Sequence, residues 1–205
     1  MGPTLTVAQY IPSQLDWAAG GLKLSMARAI STSTTAGAAI TVTVTVRSAV
    51  GDAAGDAAIQ LRVPQWAAKG SFMAVGGGSA VPVMPGTFVK ARPGGDAAGW
   101  SAGDKIVLVL AMAPRLEPIR DHREAYSTMY SILLGPYVMA GLTHHPYQIA
   151  QHAGDVEKWV LPSHDAKGEA ALQAYSADGF QLRPLNTIQD ESYTVYFNIT
   201  ADAVV

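Results

Sequence analysis

Apolar and polar residues alternate with a period of two along much of the chain. Ile40, Val42, Val44 and Val46 alternate with Thr41, Thr43, Thr45 and Arg47, and Ile59, Leu61 and Val63 alternate with Gln60 and Arg62. Tyr193, Val195, Phe197 and Ile199 alternate with Thr194, Tyr196, Asn198 and Thr200. Successive side chains of a strand point to opposite faces, so each run predicts one buried face and one facing water. Residues 105–111, "KIVLVLA", are apolar on both faces, as a central strand would be. Gly, Pro, Asp and Ser clusters separate these runs at short spacing. The pattern predicts an all-β fold: an antiparallel β-sandwich, arranged as two packed units with little helix. The best helical signal, "DHREAYSTMYSILL" from Asp121, fits a 3.6-residue period only loosely and stops at Gly135-Pro136, so it predicts a turn or short helix feeding a strand.

The run "SILLGPYVMAGLTHHP", residues 131–146, admits three readings: a membrane segment, a metal site or a buried strand. Its apolar part is about half of the roughly 20 residues a bilayer-spanning helix needs, and a Gly-Pro interrupts it. The polar run "EPIRDHREAYS" lies between it and the strand "KIVLVLAM". A charged stretch between two apolar strands is where one core ends and the next begins. Two sandwich units are therefore expected, 1–118 and 119–205, with Trp66 in the first core and Tyr137 near the second. The smaller unit buries little surface alone and is expected to lean on the first.

Composition narrows the function classes. Of 205 residues, 49% are hydrophobic and 15% charged, enough to bury a substantial core. The net charge of −2 with no basic run argues against nucleic acid as a partner. No segment is long and apolar enough to be a membrane helix, and Met1–Tyr10 lacks the basic start and apolar block of a signal peptide. The absence of cysteine excludes a thiol nucleophile, a disulfide framework and a thiolate metal site.

Several clusters invite chemical readings. His144 and His145 are neighbours, so on a strand they would point to opposite faces, and no spacing to His122, His152 or His164 matches a zinc motif; solvated loop histidines are expected, and no metal or cofactor. The Gly-Asp-Ala-Ala elements in 51–58 and 94–104 carry too few carboxylates for a calcium loop and read as hairpin loops. Asp121, His122 and Glu124 contain the two carboxylates glycoside hydrolysis requires, though acidic residues in a turn are commonly solvated. Trp100, Tyr137 and Tyr147 are candidates for a sugar-stacking platform, while Trp66 reads as a core aromatic. Asn198-Ile199-Thr200 matches the glycosylation sequon, a match that arises often by chance.

Read in order, "AQYIPSQLDW", "LRVPQWA", "PGTFVKA", "WSAGDKIVLVLAM", "RLEPIRDHREAYSTMYSILLGPYVMAGLT" and "VEKWVLP" resemble the region after the catalytic barrel in β-L-arabinofuranosidase-like proteins, glycoside hydrolase family 127 and its relatives. The plant and algal branch is the nearer match, through its Asp-x-Arg-x-x-Tyr element before Gly-Pro-Tyr. The resemblance covers roughly residues 8–165. It implies that Ile132–Leu142 is a buried strand beginning a β-sandwich. It also implies an α/α-barrel elsewhere in the family, with a glutamate and cysteines that hold zinc and supply the nucleophile. None of those residues maps onto this chain, so no catalytic residue is assigned. The chain also has Val75-Gly76-Gly77 where the family usually shows Val-Asn-Gly, which puts the shape of that loop in question.

These readings converge on a non-catalytic accessory module whose partner is a catalytic barrel, with the face of Thr41, Thr43 and Thr45 suited to docking. The alternative is a carbohydrate-binding module using Trp100, Tyr137 or Tyr147. A self-contained hydrolase using Asp121 and Glu124 is the third reading.

Overall fold

The computed structural model describes residues 2–33, 37–92, 99–143, 148–151, 154, 156–173, 175–178 and 180–200. His144, His145, Tyr147, His152 and the second Gly-Asp-Ala-Ala element itself, residues 95–98, lie outside them. The chain divides into two compact units, Met1–Ala29 with Ala39–Ala111, and Ile30–Ala38 with Met112–Val205.

Among the described residues, the first unit has nine strands: β1 (Thr4–Val7), β2 (Ser13–Trp17), β3 (Leu22–Ser33), β4 (Gly37–Ala49), β5 (Ala58–Arg62), β6 (Phe72–Val75), β7 (Val81–Pro82), β8 (Phe88–Ala91) and β9 (Lys105–Met112). The far ends of β3 and β4, and Met112, count with the second unit. One sheet has the order β1-β5-β8. The other runs β3-β4-β9-β6-β7, with β2 on the first half of β3. The period-two runs take the expected orientations. Ile40, Val42, Val44 and Val46 on β4, Ile106, Leu108 and Leu110 on β9, and Ile59 and Leu61 on β5 are all buried. Fully burying each such side chain contributes about 1.5–3 kcal/mol. Thr41, Thr43 and Thr45 form the half-buried opposite face of β4. Strand β9 is central in its sheet, which explains its two apolar faces.

The turn after β6 resolves the question about Gly76-Gly77. Both residues take positive φ, 58° and 77°, and Gly78 N–H donates to Val75 C=O at 2.9 Å. A two-residue turn with positive φ at both centres is also what Asn-Gly favours, so the exchange of Asn for Gly keeps the backbone geometry. The first Gly-Asp-Ala-Ala loop holds a single helical turn, α1 (Ala53–Asp56).

The second unit holds β10 (Pro114–Pro118), β11 (Met129–Leu134), β12 (Tyr137–Leu142), β13 (Gln148–Ile149), β14 (Val160–Pro162), β15 (Ala166–Lys167), β16 (Tyr175–Ala177), β17 (Phe180–Pro184), β18 (Tyr193–Thr194) and β19 (Phe197–Ile199). Its main sheet has the order β13-β19-β11-β12-β17-β16-β14, with β10 on β11 and β18 on β12. The division between units falls at Ala111/Met112, ahead of the polar run, because β10 pairs with β11 along its whole length.

Three elements differ from the sequence reading. Ile132–Leu142 is not one strand but the core of a hairpin, β11 and β12, with Leu134 opposite Tyr137. Gly135 at φ 55° takes the left-handed first position of the two-residue turn and Pro136 fills the second. The run 193–199 is likewise broken, since the Thr194 hydroxyl donates to Tyr196 C=O at 2.8 Å and accepts from Tyr196 N–H at 3.3 Å. That local loop ends β18 against β12 and restarts the chain as β19 against β11. "EKWVL" is half helix, α2 (Val156–Trp159), and only then strand β14.

Candidate functional site

Of the aromatics considered as a sugar platform, Trp100 and Tyr137 lie within the described residues. Trp100 sits just ahead of β9 and is only 4% exposed, with its indole N–H donating to Ala57 C=O at 2.9 Å. It is a core plug of the first unit, tied to the start of β5 and leaving no open ring face for a sugar. Gly99 allows this closeness, because a Cβ there would lie 2.7 Å from Gly55 Cα. Tyr137, at the start of β12, is half-buried, and Tyr147 lies outside the described residues. Trp66, expected in the core, is half-buried instead. It follows Pro64 and Gln65 in a turn beyond the end of β5, so the period of the strand no longer directs its side chain inward.

Within the polar run, the Asp121 carboxylate is committed to local contacts. Asp121 Oδ1 accepts from the Arg123 backbone N–H at 2.8 Å, and its carboxylate is paired with the Arg123 guanidinium at 2.7 Å. That guanidinium lies 4.4 Å from the centre of the Tyr126 ring. The Arg123 side-chain hydrogen bond, then its backbone N–H, holds the Asp121 carboxyl below its usual range. A general acid for glycoside hydrolysis needs the opposite shift. His122 and Glu124 are exposed beside it. The Asp-x-Arg-x-x-Tyr element is thus a surface knot that shapes the entry to β11.

A second ion pair, invisible in the sequence, organises the link from β17 to β18. Arg183 Nη1 donates to Glu191 Oε1 at 2.5 Å, and Glu191 Oε2 accepts from Gln189 N–H at 2.9 Å. The backbone donors, with Arg183, hold the Glu191 carboxyl down to about 2. Asn198, of the sequon, lies on β19 between β11 and β13, with its Oδ1 buried.

In the first unit a cleft of about 240 Å³ lies beside β1. Leu5 to Gln9 line one side of it, and Ser13 and Leu15 of β2, Leu24, Ser25 and Met26 of β3, and Val44 of β4 line the rest. The cleft contains no titratable group, so it can bind a surface but has no acid or base with which to catalyse.

The zinc and thiolate set that the family resemblance implies does not fit this chain. It has no cysteine, and among the described residues no three His, Asp or Glu side chains gather as metal ligands. Among the described residues, no helix is long and apolar enough to cross a membrane.

What the sheets define is an all-β, sandwich-type region with short helical turns. The family model for the β-L-arabinofuranosidase GH127 middle domain matches residues 4–112, more than half of the chain, which therefore belongs to that family. Solved structures with a similar fold include a GH127 β-L-arabinofuranosidase from Geobacillus stearothermophilus T6, at 15% identity and a TM-score of 0.53, covering 98% of this chain and 34% of that one. A GH127 β-arabinofuranosidase is similar at 14% identity and a TM-score of 0.58, covering 97% of this chain and 35% of that one. A glycoside hydrolase is similar at 17% identity and a TM-score of 0.51, covering 85% of this chain and 34% of that one. The chain thus spans about a third of the length of these structures. No curated protein matches it.

Proposed function

We propose that the chain is the non-catalytic β-sandwich region of a longer GH127-type protein and supports a separate catalytic barrel. The observation that carries this reading is the extent of the family match, 4–112, which runs almost from end to end of the first unit. Two further features agree with it. The chain supplies no thiol for the family's zinc-thiolate chemistry, and the Asp121 carboxylate is bound up with Arg123. The half-buried Thr41, Thr43 and Thr45 face offers a flat polar surface of the kind that suits docking.

A rescue assay tests this. The barrel encoded by the same gene is expressed separately, and this chain is then added to it. The expected result is a higher melting temperature or restored glycosidase activity of the barrel; no change in either would sink the proposal. Titration with arabinose-containing glycans separates it from a carbohydrate-binding role: tryptophan fluorescence is expected to stay flat at millimolar sugar, and a saturable change would favour the sugar-binding module instead.

A further inference from the structure

The cleft beside β1 has the geometry of a missing strand. The register places Leu15 opposite Leu24 and Ser13 opposite Met26, so these four side chains share one face of β2 and β3. That is the face turned toward the smaller sheet, since Leu24 is buried and Val44 joins it in lining the cleft. In a closed sandwich such a face is covered by the opposite sheet. Among the described residues of the first unit the smaller sheet has three strands and ends at β1, while the larger has six. Leu15 is left 43% exposed on what should be an inner face.

The side of the cleft along β1 supports the same conclusion. Side chains of one face would contribute every second residue, yet Leu5, Thr6 and Val7 of β1 line it in succession, continued by Ala8 and Gln9 beyond the strand's end. The cleft therefore runs along the edge of β1, where the backbone itself is accessible. Among the described residues β1 pairs only with β5, in parallel, and its other edge has no strand partner. Beyond it, the Tyr10 hydroxyl donates to Arg62 C=O and pins the chain to the end of β5, while Ile11 is 64% exposed. An unpaired strand edge above uncovered apolar side chains is a template for strand addition.

We infer that one extended segment of the parent polypeptide, from outside these 205 residues, adds to the free edge of β1 and lays alternate apolar side chains over Leu15 and Met26. The inference rests on the proposed place of this chain in a longer GH127-type protein. The relatives leave room for such a segment: about two thirds of their length lies outside the part this chain covers. An added strand supplies backbone partners to β1 and covers the open inner face, two requirements that a sugar or a flat protein surface would not meet together.

Hydrogen exchange tests it, comparing the isolated chain with the longer polypeptide encoded by its gene. The β1 amides that do not donate to β5 are expected to exchange at least about tenfold more slowly in the longer protein. Leu15→Asp is expected to remove that protection there while leaving the melting temperature of the isolated chain unchanged. Equal exchange in both contexts would overturn the inference, even if the barrel still gained stability from the module. Protection in the isolated chain that grows with its own concentration would assign the edge to a second copy and overturn it as well. A gene product that ends at 205 residues would remove the occupant. Protection of β1 without any effect on the barrel would leave the strand addition standing and count against the supporting role.

Discussion

The two units reach a β architecture by different routes. The first rests on long ladders: β3, β4 and β9 have 12, 13 and 8 residues, and the inward positions repeat without interruption along β9 and from Ala38 to Val46 of β4. The second is assembled from strands of 2–6 residues, and one local loop at Thr194 is enough to pass the chain from β12 to β11. Slipping a long alternating strand by one residue would expose every buried side chain on it, so its own pattern specifies register. A strand of two or three residues carries little such information. Its place is set by the side chains packed around it, such as Phe197, Met139 and Tyr175, all buried.

The sharpest test of that contrast removes a buried side chain from each unit. Phe197→Ala is expected to cost about 3–5 kcal/mol. It should collapse exchange protection across β11, β12 and β19 together. Leu108→Ala is expected to cost about 2–5 kcal/mol, with β4 and β9 still the best-protected amides of the first unit. Urea denaturation and hydrogen exchange on each variant check this; a purely local effect at Phe197 would break the comparison.

The two glycine turns should respond in opposite ways. At Gly135, φ is 55° and a Cβ would fall 2.4 Å from Met112 Sδ, so Gly135→Ala is expected to cost about 2–3 kcal/mol from backbone strain and overpacking. Gly76 has nothing within 4 Å of its Cβ position, and Gly76→Asn should change stability by less than about 0.5 kcal/mol. Thermal melts of the two variants measure the difference. In the first unit, Trp100→Phe removes the donor to Ala57 C=O and is expected to cost about 1–3 kcal/mol, read from the denaturation midpoint.

Smaller effects come from titration. Burial pushes the Tyr175 hydroxyl up to about 12, so the folded state favours its neutral form. The stabilisation is fully present below the ordinary value of 10 and is lost as pH rises from 10 toward 12. Tyr175→Phe should flatten that alkaline slope in the exchange of β16 and β17; an unchanged slope would mean another group carries it. Glu191 works in the opposite direction, its contribution present above 4.5 and lost as pH falls toward about 2. The smallest effect is expected at the exposed pair of Asp121 and Arg123, where Asp121→Asn should leave the denaturation midpoint unmoved.

How far the fold could be read ahead of the structure follows this contrast. The inward set on β4, β5 and β9 was legible because alternation over several residues has one low-energy orientation at an apolar core. The breaks at Gly135-Pro136 and at Val195-Tyr196 differ in kind. The first was signalled by residues suited to a turn, while the second arises from one threonine hydroxyl in an otherwise regular pattern. The site residues were less legible still. Trp100 and Trp66 are the same residue type near strand ends, and only the chain around each decides which is covered. Arg183 and Glu191 pair eight positions apart with no motif to announce it.

By itself, then, the sequence determined the all-β class, the buried face of the long strands, the exclusion of thiol chemistry and the ordered stretches that point to the GH127 middle domain. Those properties depend on residue type and local period alone. The tertiary structure decided what depends on neighbours distant in the chain: the parallel pairing of β1 with β5, the division at Ala111, the burial of Trp100 and the open edge above Leu15. A strand's pattern states which face seeks cover. It does not state which strand will provide it, because pairing energy comes from backbone groups that every residue shares.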